Sequence, residues 1–331
     1  VLIDVDATQE QRVDAVRSLF ERRNEVGESL RSAVDAAIRD RDLKKSKDIL
    51  YPKGTEARKL VDGLDAVRRQ VVTDIIPEIT KSGGRGLVPP QSSSAPSFNA
   101  SKIISQLQEY QADPNKLKQS ITDAQEEAKN VFRRTPTGLE MPTYSVLVQG
   151  DDYEIREYEP YTIAATPMTS SSDVGMSVAK SGNAFNTLAG YIFGNNQEKQ
   201  AMSMTAPVEM TVGDKGASDM AFVLPSNFSD SSPAPMADDD ITIKKVPGQI
   251  LAVREFPGFA TDMEIQRQKD FLLSSVSKDN DFVAPDQSSF RVLQWNPPYT
   301  LPWLRRNEIC TKVLRVAEIS ETTEPDFEPE E

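Results

Sequence analysis

Tyr153-Glu-Ile-Arg-Glu-Tyr158 and Tyr161-Thr-Ile-Ala-Ala-Thr166 return in outline as Ile241-Thr-Ile-Lys-Lys-Val246 and Gln249-Ile-Leu-Ala-Val-Arg254, 88 residues later. At that shift Tyr153, Ile155, Tyr158, Ile163 and Ala165 stand opposite Ile241, Ile243, Val246, Leu251 and Val253. Apolar residues two apart predict strands. A helix is predicted after each pair. The first runs from Ser177 to Ile192, with Val178, Phe185, Leu188 and Ile192 on one side; the second runs from Thr261 to Val276. Strands at 202–212 and 219–224 complete the first unit, and strands at Phe290–Gln294 and Asn307–Val316 complete the second. Two β-β-α-β-β copies predict an α+β fold, a large sheet covered by helices on one side.

The period is helical before about Tyr144. Residues 8–40 carry Val13, Val16, Phe20, Leu30, Val34 and Ile38, which predicts a helix with one buried stripe. Tyr51-Pro-Lys-Gly54 breaks the pattern, and Thr55 is positioned to cap a second helix bearing Leu60, Leu64, Val67, Val71 and Ile75. Pro77 ends or kinks it. Residues 1–81 thus predict a helical hairpin extension, residues 82–100 a Ser-, Gly- and Pro-rich linker, and residues 101–135 a further helical segment. The acidic stretch 319–331 predicts a disordered tail.

Composition excludes several chemistries. The 331 residues hold no histidine and one cysteine, Cys310. That removes Ser-His-Asp and Cys-His catalysis, an internal disulfide and the usual zinc sites. A net charge of −13 argues against a nucleic-acid partner and disfavours simple electrostatic docking to anionic lipid. No apolar run approaches the roughly 20 residues that span a bilayer. Asp238-Asp-Asp240 reads as a solvated loop rather than a cation site.

Four phrases stand in order along the second half: Tyr153-Glu-Ile-Arg-Glu-Tyr158, Gly194-Asn-Asn-Gln197, Met202-Ser-Met-Thr-Ala-Pro-Val208 and Asn296-Pro-Pro-Tyr-Thr-Leu-Pro-Trp-Leu-Arg-Arg-Asn-Glu308. Together they resemble the SOUL/haem-binding protein family, over about residues 140–318, and the last resembles its plant and algal branch. The resemblance implies a distorted eight-stranded β-barrel with two helices and a pseudo-twofold, preceded here by the all-α extension. It implies haem or a related tetrapyrrole as ligand, and a chloroplast setting: stroma, thylakoid-associated or lipid globule. The start at Val1 rather than Met fits a chain from which a targeting segment has been removed.

Site residues follow from the resemblance and from chemistry. In members that ligate iron through histidine, that residue falls where Glu157 stands here; a carboxylate is a poor substitute, and a solvent-facing strand position is the alternative. Phe185 takes the place of an apolar residue facing the macrocycle, with Leu188 one turn on. Met202 and Met204 share a strand face, as pocket or as core. Tyr299 and Trp303 are candidates for stacking, and Arg305 and Arg306 for pairing with ligand carboxylates or with Glu308. Cys310 reads as a buried, inert thiol.

Three functions remain open. A non-enzymatic tetrapyrrole carrier, for buffering or delivery in a plastid, is expected to show an apolar groove beside the 177–192 helix. A scaffold in a thylakoid or lipid-globule complex is expected to fill that groove with its own side chains. Its first-half helices would offer apolar stripes to a protein partner or to peripheral membrane association. An enzyme acting on a hydrophobic small molecule is expected to bury Glu157.

Overall fold

The computed structural model describes residues 8–77, 133–168, 178–212, 218–297 and 300–317. The expected linker 82–100, most of the 101–135 segment and the 319–331 tail lie outside them.

Strands β1 (Tyr144–Gln149), β2 (Glu154–Tyr158), β3 (Tyr161–Pro167), β4 (Val208–Val212) and β5 (Ser218–Val223) come first. Then follow β6 (Thr242–Val246), β7 (Gln249–Phe256), β9 (Phe290–Gln294) and β10 (Asn307–Lys312), with β8 (Phe282–Val283) between β7 and β9. Nine of these form one curled antiparallel sheet in the order β1-β2-β7-β10-β9-β4-β5-β3-β6. The eight strands expected are joined by a ninth, β1, which pairs along β2 with a bulge between Val146 and Val148. The expected last strand to Val316 stops at Lys312. Val313 donates to the Ile250 carbonyl, and the next two residues, β11 (Leu314–Arg315), pair with β8 in a separate ladder.

Side chains alternate across this sheet, so each strand feeds two interiors. Ile155, Ala164, Met210, Phe222, Ala252, Val292 and Ile309 face one core, with Leu188, Tyr191, Ile265 and Leu272. These last four come from the helices α5 (Val178–Ile192) and α6 (Asp262–Val276). Thr261 caps α6, its hydroxyl accepting from the Glu264 N–H. Tyr158, Leu251, Val253, Leu293, Trp295 and Cys310 pack on the opposite face. With both faces covered, charged residues there need partners, although the buried Trp295 Nε1 makes no hydrogen bond among the described residues.

Residues 8–77 form α1 (Gln9–Glu21), α2 (Arg23–Ile38), α3 (Leu43–Leu50), α4 (Glu56–Gln70) and a π-turn, Val71–Ile75. Thr55 does cap α4, accepting from the Arg58 N–H. The buried stripe expected on the first helix is corrected: Val13, Leu30, Val34 and Ile38 are exposed, while Ala33 and Ala36 are buried. The reason is the partner. Helix α3 packs back on α2, and two antiparallel helices approach most closely over small residues. The second expected stripe is half right: Leu64 is exposed, and Leu60, Val67, Val71 and Ile75 are half-buried.

The fully buried face of this helix is instead Gly63, Gln70 and Asp74, and it is a seam with the sheet domain. Gln70 accepts from the Phe259 N–H at 2.8 Å. Asp74 accepts from the Thr261 hydroxyl at 2.7 Å, and Arg69 pairs with Glu264 at 2.8 Å. A π-turn shifts side chains by one position relative to an α-helix; here it lies where Asp74 meets Thr261.

Candidate functional site

Helix α5 carries one charged residue, Lys180, whereas α6 carries Asp262, Glu264, Arg267, Lys269 and Asp270. The α5 side of the sheet is therefore the apolar one. Its helix ends in the Gly194-Asn-Asn-Gln197 phrase. Gly194 takes φ +100, a left-handed position natural to glycine, and donates to the Tyr191 carbonyl. The Asn196 amide donates to the carbonyls of Tyr191 and Gln200. This family phrase is a helix stop that delivers the chain to Met202, whose N–H donates to the Ile192 carbonyl. Thr205 then anchors the Met-Thr-Ala-Pro-Val phrase, its hydroxyl donating to the Val223 carbonyl at 2.6 Å.

Phe185, Leu188, Met202 and Met204 all pack in or against the same core. Leu188 and Met202 are buried within it, so neither is presented to a ligand. Phe185 and Met204 remain partly exposed. The Phe185 ring meets Phe222 edge-on, with centroids 5.2 Å apart. Phe193, directly after the buried Tyr191 and Ile192, stands out into solvent.

Trp303 and Arg305 belong to a different neighbourhood. The 3-10 turn Pro302–Leu304 lies against α4, where a Cβ on Gly63 would stand 2.1 Å from the Trp303 carbonyl oxygen. Arg305 donates to the Thr300 carbonyl and stacks over the Phe259 ring, 5.4 Å from its centroid. Burial lowers its pKa. Tyr299 lies outside the described residues.

Glu157 is the exposed residue of β2. The neighbouring Arg156 turns inward, and this is the feature that spacing alone did not single out. Arg156 forms a two-pronged pair with fully buried Glu308 at 3.0 and 3.1 Å, and pairs with Glu154 at 2.7 Å. Arg306 reaches the same Glu308 at 2.6 Å and lies 4.1 Å above the Trp295 ring. Arg306 thus takes the internal role expected of the pair, and Arg305 does not. Desolvation works to lower the Arg156 pKa, but Glu308 holds it above the usual arginine value. A second cluster joins Arg291, Glu209 and the Tyr161 hydroxyl, with Arg291 donating to Tyr161 at 3.0 Å and Tyr161 to Glu209 at 2.9 Å. Strand alternation puts Arg156, Glu308, Arg291 and Glu209 on the face away from the helices, a signal present in the sequence once the strand phase is known.

Cys310 is enclosed between these clusters, and burial pushes its thiol up to about 12. Native protein is therefore expected to resist iodoacetamide near neutral pH, with labelling appearing only as the sheet unfolds. Rapid labelling of the folded chain, followed by mass spectrometry, would show that this face opens locally.

These residues test the fit of a haem. Cys310 and Met202 are enclosed, Tyr158 and Tyr161 are held in the second interior, and the chain has no histidine. An axial iron ligand is not assembled from them. Contact with a flat apolar face at Phe185 and Met204 does fit. Among the described residues no group of three or more Cys, Asp or Glu is arranged to hold a metal ion.

A family model described as SOUL heme-binding protein matches residues 139–312. The chain is 30% identical over 182 residues to mouse Heme-binding protein 2, covering 52% of this chain and 84% of the relative. Among solved structures, the EcmrR C-terminal domain is 13% identical, covering 52% of this chain and 99% of that one, with a TM-score of 0.36. A hydrolase from Listeria innocua is 9% identical, covering 51% and 94%, with a TM-score of 0.34. Scores this low bear on neither fold nor function.

Proposed function

The chain belongs to the SOUL haem-binding protein family, and from that premise we propose that it binds a tetrapyrrole through apolar contact without an iron–protein bond. The observation that carries this reading is the α5 side of the sheet, where Phe185 and Met204 remain partly exposed against the hydrophobic core cluster. Apolar burial of the macrocycle face supplies the driving force. We read the two β-β-α-β-β units as a pseudo-twofold pair. In the second unit the equivalent helix face is charged, with Lys269 over the Phe290 ring, so the pair offers one apolar docking face and not two. Buffering or delivery of the tetrapyrrole within a plastid is the corresponding role, with the plant and algal wording of Asn296–Glu308 as its support.

Absorbance titration with haemin and, separately, protoporphyrin IX tests this. Saturable binding of both, with affinities within about tenfold, is the expected result, because no metal bond distinguishes them. Phe185→Ala should weaken both by about fivefold to tenfold, the share of a partly exposed ring. Binding of haemin alone, abolished by Met204→Ala, would replace face contact with thioether ligation. Binding of neither by folded protein would sink the reading.

One observation favours a second reading, an interaction scaffold: Leu188 and Met202 close the core beside α5, while apolar side chains on α1 to α4 face solvent. In that case the helical extension would grip a protein partner. The catalytic reading loses its residue, since Glu157 is exposed.

A further inference from the structure

Ile38 at the end of α2 and Leu43 at the start of α3 are the two most exposed large apolar side chains among the described residues, 72% and 74% accessible. The chain reverses between them. Asp42 donates to the Ala36 carbonyl, and Arg41 takes φ +52, so α3 folds back and both side chains project from one corner. Leu30 and Val34 extend this corner along α2 at a spacing of four residues, which keeps them on one face. The corner is also basic. Residues 38–53 hold six Lys and Arg against three Asp; Arg39 is taken up by Asp35 and Lys47 by Asp62 and Asp65, so the cations that matter at the corner are Arg41 and Lys44. Asp40 is taken up by Lys45, and Asp42 caps α3 by accepting from the Lys45 N–H. Arg41 and Lys44 enter no ion pair among the described residues, and both are exposed.

We propose that this α2–α3 corner docks the protein on an anionic lipid surface, with Ile38 and Leu43 entering the interface and Arg41 and Lys44 meeting lipid phosphates. Two protruding apolar tips flanked by cations suit a headgroup layer, where apolar insertion and charge attraction add. Neither alone holds a protein there. The acidic remainder of the chain is repelled by the same surface, which fixes the corner as the point of approach. Whole-chain charge argues against such docking, but the field near a membrane is felt within about a Debye length, roughly 8–10 Å, so the local patch decides. No described helix is long and apolar enough to cross a membrane, and the proposal needs none. It stands apart from tetrapyrrole binding, which is read by absorbance and not by lipid.

Vesicle flotation of the full chain tests it, with phosphatidylglycerol–phosphatidylcholine vesicles against phosphatidylcholine alone. Flotation is expected with the anionic vesicles only, and to fall as salt rises from about 0.1 to about 0.5 M. Ile38→Asp with Leu43→Asp, and separately Arg41→Glu with Lys44→Glu, should each reduce the bound fraction more than about tenfold. Circular dichroism should show both variants folded with unchanged melting, as expected at exposed positions. The proposal is overturned if wild-type protein does not float, or if flotation survives both pairs of changes. It is also overturned if light scattering shows a lipid-independent dimer that Ile38→Asp with Leu43→Asp dissociates, which would make the corner a contact between copies.

Discussion

Glu308→Ala is expected to lower the unfolding free energy by about 3–5 kcal/mol, the cost of leaving buried cations without their counter-charge. Glu308 is the shared partner of Arg156 and Arg306, and all three side chains lie inside the sheet. Removing the carboxylate strands two guanidinium groups at once. Arg156 keeps Glu154, the Tyr158 hydroxyl and the Tyr144 ring, and Arg306 keeps Glu255 at 3.7 Å and the Trp295 ring, so Glu154 and Glu255 are the carboxylates left to them among the described residues. Urea unfolding followed by tryptophan fluorescence reads the loss, because Trp295 lies under Arg306. Replacing Arg156 and Glu308 together by Met and Leu removes one of the two stranded cations with the carboxylate, leaving Arg306 to Glu255, and should cost less than the single change. A strongly non-additive cycle is therefore expected. A loss below about 1 kcal/mol for Glu308→Ala would mean that water reaches this face, and that the interior is not the closed one described.

Gly63→Leu is expected to unseat α4 from the sheet domain. A Cβ there would stand 2.1 Å from the Trp303 carbonyl oxygen, a backbone atom that cannot rotate away. Either α4 or the 300–306 loop must move, at a cost of about 1–3 kcal/mol for overpacking, with the seam's hydrogen bonds at further risk. Gln70 and Asp74 lose their geometry with α4. Hydrogen exchange at the Phe259 amide, which donates to Gln70, should rise sharply. Gln70→Leu provides the milder comparison, leaving that amide unsatisfied at about 1–3 kcal/mol without a clash. If Gly63→Leu leaves Phe259 exchange unchanged, the seam is not continuous.

Acid should weaken the same seam. Burial works to raise the Asp74 pKa, but hydrogen bonds from Thr73 and Thr261 and the charge of Arg267 hold it below the ordinary aspartate value. A depressed folded pKa contributes stability above the unfolded value, near 3.9, and that contribution is lost as pH falls through the folded value. Asp74→Asn should remove this part of the acid dependence from the melting profile.

Period and punctuation made the strand and helix units legible. Apolar residues two apart marked β2, β3, β6 and β7, and the predicted helices 177–192 and 261–276 match α5 and α6 to within a residue at either end. Thr55 announced α4 because an N-cap is a local hydrogen bond. Strand β1 escaped the count because an edge strand needs only one partner and carries a weak alternation, with a bulge at Val146 to Val148. Helix α3 escaped because its eight residues expose Leu43 and Leu50 and bury none, so it shows no core stripe. The candidate site divided in the same way. Phe185, Leu188, Met202 and Met204 came together because they flank one helix and its exit. Trp303 and Arg305 went elsewhere because a distant helix, α4, occupies their loop.

By itself the sequence determined the alternating strands, the helices between them, the family phrases and the absence of a histidine ligand. All of these are properties of near neighbours or of composition. Only the tertiary structure decided which apolar stripes are covered. Leu30, Val34 and Ile38 have the spacing of a core face, yet they are exposed, while Ala33 and Ala36 are the residues buried on the helix that α3 packs against. It also decided that Arg156 and Glu308, 152 residues apart, share one interior. Burial depends on what arrives from elsewhere in the chain, and no local pattern of residues records that.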